Sequence, residues 1–159
     1  MSSPLFIPLA EAVLKTLNAQ EFSRPFRATR IYDALRQLPE MEQMRVDVLL
    51  GDRKSEPLDR SRMKNVVRIE IAVRQVIKGE AGSELEQQEL DALVAFCEEI
   101  DDCLSDRSQR RLTAAPWAVW QGTEMVYPFL PQYLRGRQFT SLLRASYFVA
   151  TGPLAGVPA

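Results

Sequence analysis

The stretch NVVRIEIAVRQVIK, from Asn65 to Lys78, decides the fold. Alternate positions along one side of it are apolar: Val67, Ile69, Ile71, Val73 and Ile77. The other side is charged at Arg68, Glu70 and Arg74. Alternation with a period of two over this length is typical of a long, half-buried β-strand. The sequence therefore predicts a central strand of a sheet here.

The segment before this strand is charged and almost free of apolar residues. Alternating apolar positions from Met44 to Leu50 predict a strand that stops at Gly51. The following run GDRKSEPLDRSR, from Gly51 to Arg62, has little to bury. Its composition predicts a mobile loop.

Two helices are predicted, one before these strands in the sequence and one after them. The stripe of Leu9, Val13 and Leu17 predicts a first helix within residues 4–18 that settles after Pro8. In the second, Ser83 followed by Glu86 is a capping box. The core stripe of that helix consists of Leu90, Leu93, Val94, Cys97, Ile100 and Leu104.

The remaining regular elements are predicted strands. Alternation predicts one over PFRATRIYD, residues 25–33, and a closing strand from Gln138 to Ala150. Two short strands, Trp117 to Trp120 and Met125 to Phe129, are predicted to form a hairpin around Gln121-Gly122-Thr123. Residues 34–44 are predicted to cross between strands with at most one helical turn.

This order of elements predicts the fold class. Two helices set apart from a run of strands give an α+β domain: a mainly antiparallel sheet of about four to six strands, covered on one face by two helices. Residues 1–150 are predicted to form one domain, and residues 151–159 an extended tail containing Gly and Pro.

Composition excludes several functional classes. The 159 residues include 20 Lys plus Arg and 21 Asp plus Glu, so no overall charge favours nucleic acid or an anionic membrane. Histidine is absent, which removes imidazole bases and imidazole metal ligands. Cys97 and Cys103 lie six apart on one predicted helix and are interpreted as reduced core thiols. We expect a soluble, unexported chain.

Three groups of side chains are candidate sites, each with an ordinary structural explanation. The acidic residues Glu98, Glu99, Asp101 and Asp102 are interpreted as a solvated helix face rather than a metal site. An aromatic group, Trp117, Trp120, Tyr127, Phe129 and Tyr133, is interpreted as core closure. The basic residues Arg53, Lys54, Arg60, Arg62 and Lys64 fit a solvated loop first, a contact in an assembly second, and a contact with DNA last.

The succession of elements resembles the tail terminator, or tail completion, and related head-to-tail joining proteins of long-tailed bacteriophages. The pieces that carry the resemblance are IPLAEAVLKTLN, FRATRIY, RVDVLL, the SR before VVRIEIAVRQ, ELDALVAFCEEIDDCL, and the final F-x-S-x-L-x-x-x-Y from Phe139 to Tyr147. The order is more specific than any single piece.

The resemblance implies a structural virion protein with no enzymatic activity, catalytic residue, metal or cofactor. It implies a homohexameric ring at the end of the tail tube, in contact with the tube protein and with a neck or head-completion protein. Viral DNA would pass through the lumen without sequence-specific binding. The expected locations are the tail or neck of the virion, and the host cytoplasm during assembly.

Candidate contact residues for such a ring come from the charged segment and the polar side of the central strand: Arg53, Lys54, Arg60, Arg62, Arg68, Glu70 and Arg74. Two alternatives stay open. One is another neck or tail-tube component of the same fold. The other is a small cytosolic enzyme or binding module that uses the acidic helix.

Overall fold

The computed structural model describes residues 4–32, 43–106, 112–127 and 137–152. Within these ranges the chain forms two helices and five strands: α1 Phe6–Ala19, β1 Ala28–Arg30, β2 Arg45–Pro57, β3 Met63–Val76, α2 Glu84–Ser105, β4 Val119–Tyr127 and β5 Gln138–Thr151. The predicted crossing segment 34–44, apart from residues 43 and 44, and the tail beyond Gly152 lie outside the described residues.

The five strands form one sheet in the order β1-β2-β3-β5-β4. β1 runs parallel to β2, and every other neighbouring pair is antiparallel. β3 is the middle strand, as its alternation predicts. The prediction of an α+β fold with a mainly antiparallel sheet is confirmed.

Both helices lie on the same face of the sheet. α1 lies over β1, β2 and β3, whereas α2 lies over β5 and β4. Apolar side chains of both helices and of this sheet face form one buried core.

The predicted end of β2 is wrong. The strand does not stop at Gly51 but continues to Pro57, so the segment 51–62 is not a mobile loop. A bulge between Leu50 and Arg53 accommodates Gly51 and Asp52, and residues 53–57 then pair with residues 63–67 of β3. The extension is polar because most of its side chains are exposed on both faces of the sheet.

The predicted hairpin near the second tryptophan is also wrong. Val119–Tyr127 is one continuous strand paired with β5, and Gly122 lies within it instead of in a turn. Register shifts at Trp120/Gly122 and at Met125/Tyr127 interrupt the regular alternation, so the sequence reads as two short pieces. Phe129 lies outside the described residues.

Smaller differences concern the ends of elements. α1 begins at Phe6, so Pro8 lies in its first turn, where a missing N–H removes no helical hydrogen bond. Only Ala28–Arg30 of the predicted first strand pairs with β2. The cap of α2 is confirmed: the Ser83 hydroxyl accepts a 3.1 Å hydrogen bond from the Glu86 N–H. The Glu86 carboxylate instead accepts from the N–H of Gly82.

Candidate assembly surface

The turn between β2 and β3 is fixed by its own hydrogen bonds. We call residues Leu58–Met63 the tip. The Asp59 carboxylate accepts hydrogen bonds from the N–H groups of Ser61 and Arg62, each at 2.9 Å, and from the Arg62 Nε at 2.7 Å. Hydrogen bonds from Arg62, and from the backbone of Ser61, lower the Asp59 pKa to about 2. The ionised carboxylate of Asp59 therefore stabilises this turn at neutral pH.

The end of β5 supports the tip from the side. Gly152 has a φ of 139° and lies so close to the Ser61 carbonyl that a Cβ would overlap it. Only glycine combines this backbone conformation with so close an approach. The tip is thus held both by its own turn and by the neighbouring strand.

Asn65 ties the three strands together just behind the tip. Its Oδ1 accepts from Arg53 at 3.0 Å and from the Ser55 hydroxyl at 2.7 Å, both on β2. Its Nδ2 donates to the Val149 carbonyl and the Thr151 hydroxyl on β5. Asn65 itself is buried. The projecting half of the hairpin is therefore fastened to the sheet.

The tip presents apolar and basic groups to solvent. The exposed fractions of Leu58 and Met63 are 42% and 40%. Of the basic residues, Arg62 pairs with Asp59 at 2.6 Å and Lys64 with Glu56 at 3.7 Å. Lys54 and Arg60 are exposed and carry no ion pair with any described residue. The tip thus combines two exposed apolar side chains with a local excess of positive charge.

The predicted contact residues of β3 lie away from the tip, on the sheet face opposite the helices. We call this the open face. Arg68 pairs with Asp52 at 2.9 Å, and Glu70 pairs with Arg144 of β5 at 3.2 Å. Arg74 differs, because it is only 5% exposed and lies 3.9 Å from the carboxylate of buried Asp47. The structure therefore places Arg60 and Arg62 in the tip, Arg53 and Lys54 behind it on β2, and the side chain of Arg74 in a buried position.

Sequence reasoning missed the residues that order the tip. Asp59, Ser61 and Arg62 follow the pattern of an Asx turn, which is a signal that the sequence does contain. Asn65 had no such signal, because its four partners lie on two other strands. Leu58 and Met63 are isolated apolar residues in a polar segment, so no sequence pattern marks them as a surface.

The acidic residues of α2 border a cleft on the helix side of the molecule. We call it the acidic cleft. Its volume is about 320 Å³, and its lining residues are Gln20, Glu21, Phe22, Glu99, Asp102, Cys103 and Asp106. Glu99 accepts hydrogen bonds from the backbone N–H and the hydroxyl of Ser23. Burial raises the pKa of Asp101 on the same helix, although a hydrogen bond with Thr123 lowers it. Among the described residues, no three metal-ligating side chains are grouped as a metal site.

Aromatic residues hold the segment after α1 against α2. Phe22, Phe26 and Phe96 form a triangle with ring centroids 5.1 to 5.9 Å apart. Trp117 and Trp120 pack partly buried against the core, as predicted. The side chain of Tyr127, and Phe129 and Tyr133 altogether, are not among the described parts of the chain.

Among the solved structures that the chain resembles is the sheath/tube terminator of PVC, an extracellular contractile injection system, in its extended state. The TM-score is 0.43 and the sequence identity 14%. The match covers all of this chain and 62% of the other, so this chain spans less than two thirds of that neighbour. No family model and no curated protein matches the sequence. Neither described helix is long and apolar enough to span a membrane.

Proposed function

We propose that this chain is a non-enzymatic ring subunit of the tail terminator class. In this role it would close the end of a tail tube and join the tube to a neck protein, with DNA passing through the centre. The order of elements along the sequence supports the assignment. The observation that carries it is that the sheet offers two different open edges, one at each side of the subunit.

A closed ring needs two different, mutually complementary surfaces on each subunit. β1 covers β2 only from Val46 to Val48, and no described strand pairs with the outer edge of β2 from Leu50 to Pro57. At the other side of the sheet, β4 pairs with β5 alone among the described strands. Unpaired edges of this length are templates for pairing with another chain. The β4 edge of a second copy supplies the missing partner for the β2 edge.

The open face suits a passage that does not hold DNA. Between the Glu56–Lys64 pair and the Glu124–Arg144 pair, acids and bases are interspersed on this face. The acids are Asp52, Glu56, Glu70 and Glu124, and the bases are Lys54, Lys64, Arg68 and Arg144. Four of each leave no net charge. Affinity for duplex DNA depends on uncompensated basic charge, so this part of the face would not retain the polymer.

The predicted contact residues take separate roles in this proposal. Arg60 and Arg62, with Arg53 behind them, would contact a neighbouring subunit, the tube or the neck. Lys54, Arg68 and Glu70 would lie on the lumen side. Arg74 would act inside the subunit, because its side chain is buried beside Asp47.

The oligomeric state of the purified protein tests the proposal. We expect native mass spectrometry to show six-membered species that increase with protein concentration, and negative-stain images to show rings with a central hole. A single monomeric species at every concentration would contradict the proposed ring.

A further inference from the structure

We propose that the carboxylate of Asp101 acts through the Thr123 hydroxyl as a pH-responsive link between α2 and the edge strand β4. The ionised carboxylate holds the bulge of β4 firmly against the helix, and protonation weakens that hold without unfolding the chain. The proposal concerns a single subunit, so it does not depend on the proposed ring.

The link consists of three side chains that lead from β4 to α2. The Trp120 indole N–H donates a 2.9 Å hydrogen bond to the Thr123 hydroxyl oxygen. Thr123 is in turn hydrogen-bonded to the carboxyl group of Asp101 on α2. An ionised carboxylate can only accept, so the Thr123 hydroxyl donates its proton to Asp101 and keeps its lone pairs for Trp120. The direction of both hydrogen bonds is therefore fixed while Asp101 is charged.

The link lies at the irregular part of β4. The register with β5 shifts between Trp120 and Gly122, so Trp120 and Thr123 flank the bulge. Thr123 lies opposite Ala145, which belongs to the core, so Thr123 is on the helix side of the sheet. Among the described strands β4 pairs with β5 alone, and α2 lies over it. The link therefore supports β4 in addition to its ladder with β5.

The surroundings of Asp101 oppose its charge. The residue is half-buried. Burial, together with the charges of Asp102 and Glu98 on the same helix, raises the pKa of Asp101 above its usual value of 3.8, although the hydrogen bond with Thr123 works in the opposite direction. The fold therefore tolerates the protonated form, and the contact that favours the charged form is the link itself.

The sheet provides no counter-ion for this carboxylate. Among the described residues, the charged members of β4 and β5 are Glu124 and Arg144, and they lie opposite each other on the open face. Tyr147 is titratable and lies on the helix side of β5, but burial raises its pKa well above its usual range. Toward Asp101, the described part of these two strands therefore offers a hydrogen bond and no charge.

The described titratable groups of the helix layer near Asp101 are acids and thiols. Glu98 and Asp102 are exposed, and their charges repel that of Asp101. Glu21, from the segment after α1, lines the acidic cleft, which Asp101 does not line. Burial raises the pKa of both thiols of α2, so they stay neutral in acid. The charges that oppose ionisation of Asp101 thus come from its own helix.

Protonation of Asp101 changes both hydrogen bonds of the link. A hydrogen bond to an ionised carboxylate is roughly twice as strong as one between neutral groups. A protonated carboxyl also carries a donor of its own, so the Thr123 hydroxyl is no longer obliged to donate to it. Acid therefore loosens the link, while the relief of a buried charge offsets the loss and the chain stays folded.

The indole N–H of Trp120 reports the state of the link. The chain contains two tryptophans, and Trp117, which lies before β4, serves as the internal reference. We expect the Trp120 indole resonance of isotope-labelled protein to move between about pH 7 and about pH 3. Its midpoint should lie above 3.8 and equal the midpoint of the Asp101 carboxyl resonance, and the Trp117 resonance should not follow this titration.

Substitutions test each member of the link. Asp101→Asn removes the titrating group and must abolish the movement of the Trp120 resonance. Asp102→Asn removes a neighbouring like charge, so the movement should remain with a lower midpoint. Thr123→Val must uncouple Trp120 from the titration and raise the midpoint of the Asp101 carboxyl. Thr123→Ser retains the hydroxyl and must restore the coupling.

The unmodified protein alone can overturn the link. A Trp120 resonance that stays fixed over this range, or that moves with a midpoint different from that of the Asp101 carboxyl, would do so. An equal movement in Asp101→Asn or in Thr123→Val would also contradict it. None of these measurements depends on oligomerisation, so a protein that forms no ring would overturn the proposed function and leave the link standing.

Discussion

Asp59 is the residue whose ionisation controls the tip. Its carboxylate has a pKa of about 2, against an ordinary value of 3.8, because Arg62 and the Ser61 N–H stabilise the charged form. The folded pKa is the lower one, so this carboxylate stabilises the turn above about pH 4 and loses that effect as pH falls toward 2. We expect an NMR titration of the Asp59 carboxyl to show a midpoint near 2.

Two variants show whether Arg62 is the cause. Arg62→Gln should raise the Asp59 pKa toward its ordinary range, because it removes the largest stabilising contact. Arg60→Gln changes the charge of the tip equally but removes no hydrogen bond to Asp59. It should leave the midpoint near 2. The same midpoint in Arg62→Gln as in the unmodified protein would refute this explanation of the turn.

Gly51 and Gly122 form a matched pair of glycines at bulged positions. A Cβ at Gly51 would lie 2.6 Å from the Arg68 carbonyl oxygen, whereas one at Gly122 would meet no atom within 4 Å. Gly51→Ala must therefore push β2 away from β3, and we expect it to lower the free energy of unfolding by about 1–3 kcal/mol. Gly122→Ala should change it by less than about 0.5 kcal/mol.

Urea denaturation of both variants measures the difference. We expect the midpoint of Gly51→Ala to fall without a change in slope, because the folded state exposes no more surface. Equal midpoints for the two variants would mean that the bulge tolerates a side chain, and that Gly51 is not needed for the register of β2.

At the scale of elements, the projecting half of the β2–β3 hairpin depends on Asn65. Asn65→Ala removes all four of its side-chain hydrogen bonds, including the one to the carbonyl of buried Val149 on β5. We expect a loss of about 1–3 kcal/mol in the free energy of unfolding. Hydrogen exchange should become faster in residues 53–57 and 147–151 but not in Ile69 to Val73.

Ser55→Ala is the control for this experiment, because it removes one of the four bonds and keeps the link to β5. It should have a smaller effect, confined to β2. Faster exchange throughout β3 in Asn65→Ala would instead indicate that the hairpin and the core unfold as one unit.

The fold could be predicted from the sequence wherever one side of an element is buried. β3, β5 and α2 each place apolar residues against the core at a regular spacing, and the sequence predicts all three to within about two residues. The far half of β2 is exposed on both faces, so no alternation marks it. Its strand conformation comes from the ladder with β3, which depends on a neighbouring strand and not on local composition.

The sequence predicts which basic residues of the candidate surface are exposed, but it does not predict the conformation of the tip. The exposure of Lys54 and Arg60 follows from their polarity, and the structure places Arg60 and Arg62 in one tip. That the tip is rigid depends on Asp59, Asn65 and the distant Gly152. Alternation places Arg74 on the side away from the core, but cannot show that Asp47 meets it there.

At the scale of the whole molecule, the sheet is asymmetric. Both helices cover one face, and the other face carries rows of paired charges between two edges. In the proposed ring, the helix-covered face would turn outward and the charge-balanced face inward. The two edges would then lie at the subunit boundaries.

The last prediction concerns these two edges. If neighbouring copies pair there, backbone N–H groups of residues 50–57 and of residues 119–125 become hydrogen-bonded on assembly. We expect hydrogen exchange in both segments to slow together as protein concentration rises through the range of assembly. The middle of β3 is already paired on both sides, so its exchange should change only through overall stability. Slower exchange at the β2 edge alone would mean that a surface other than β4 covers it.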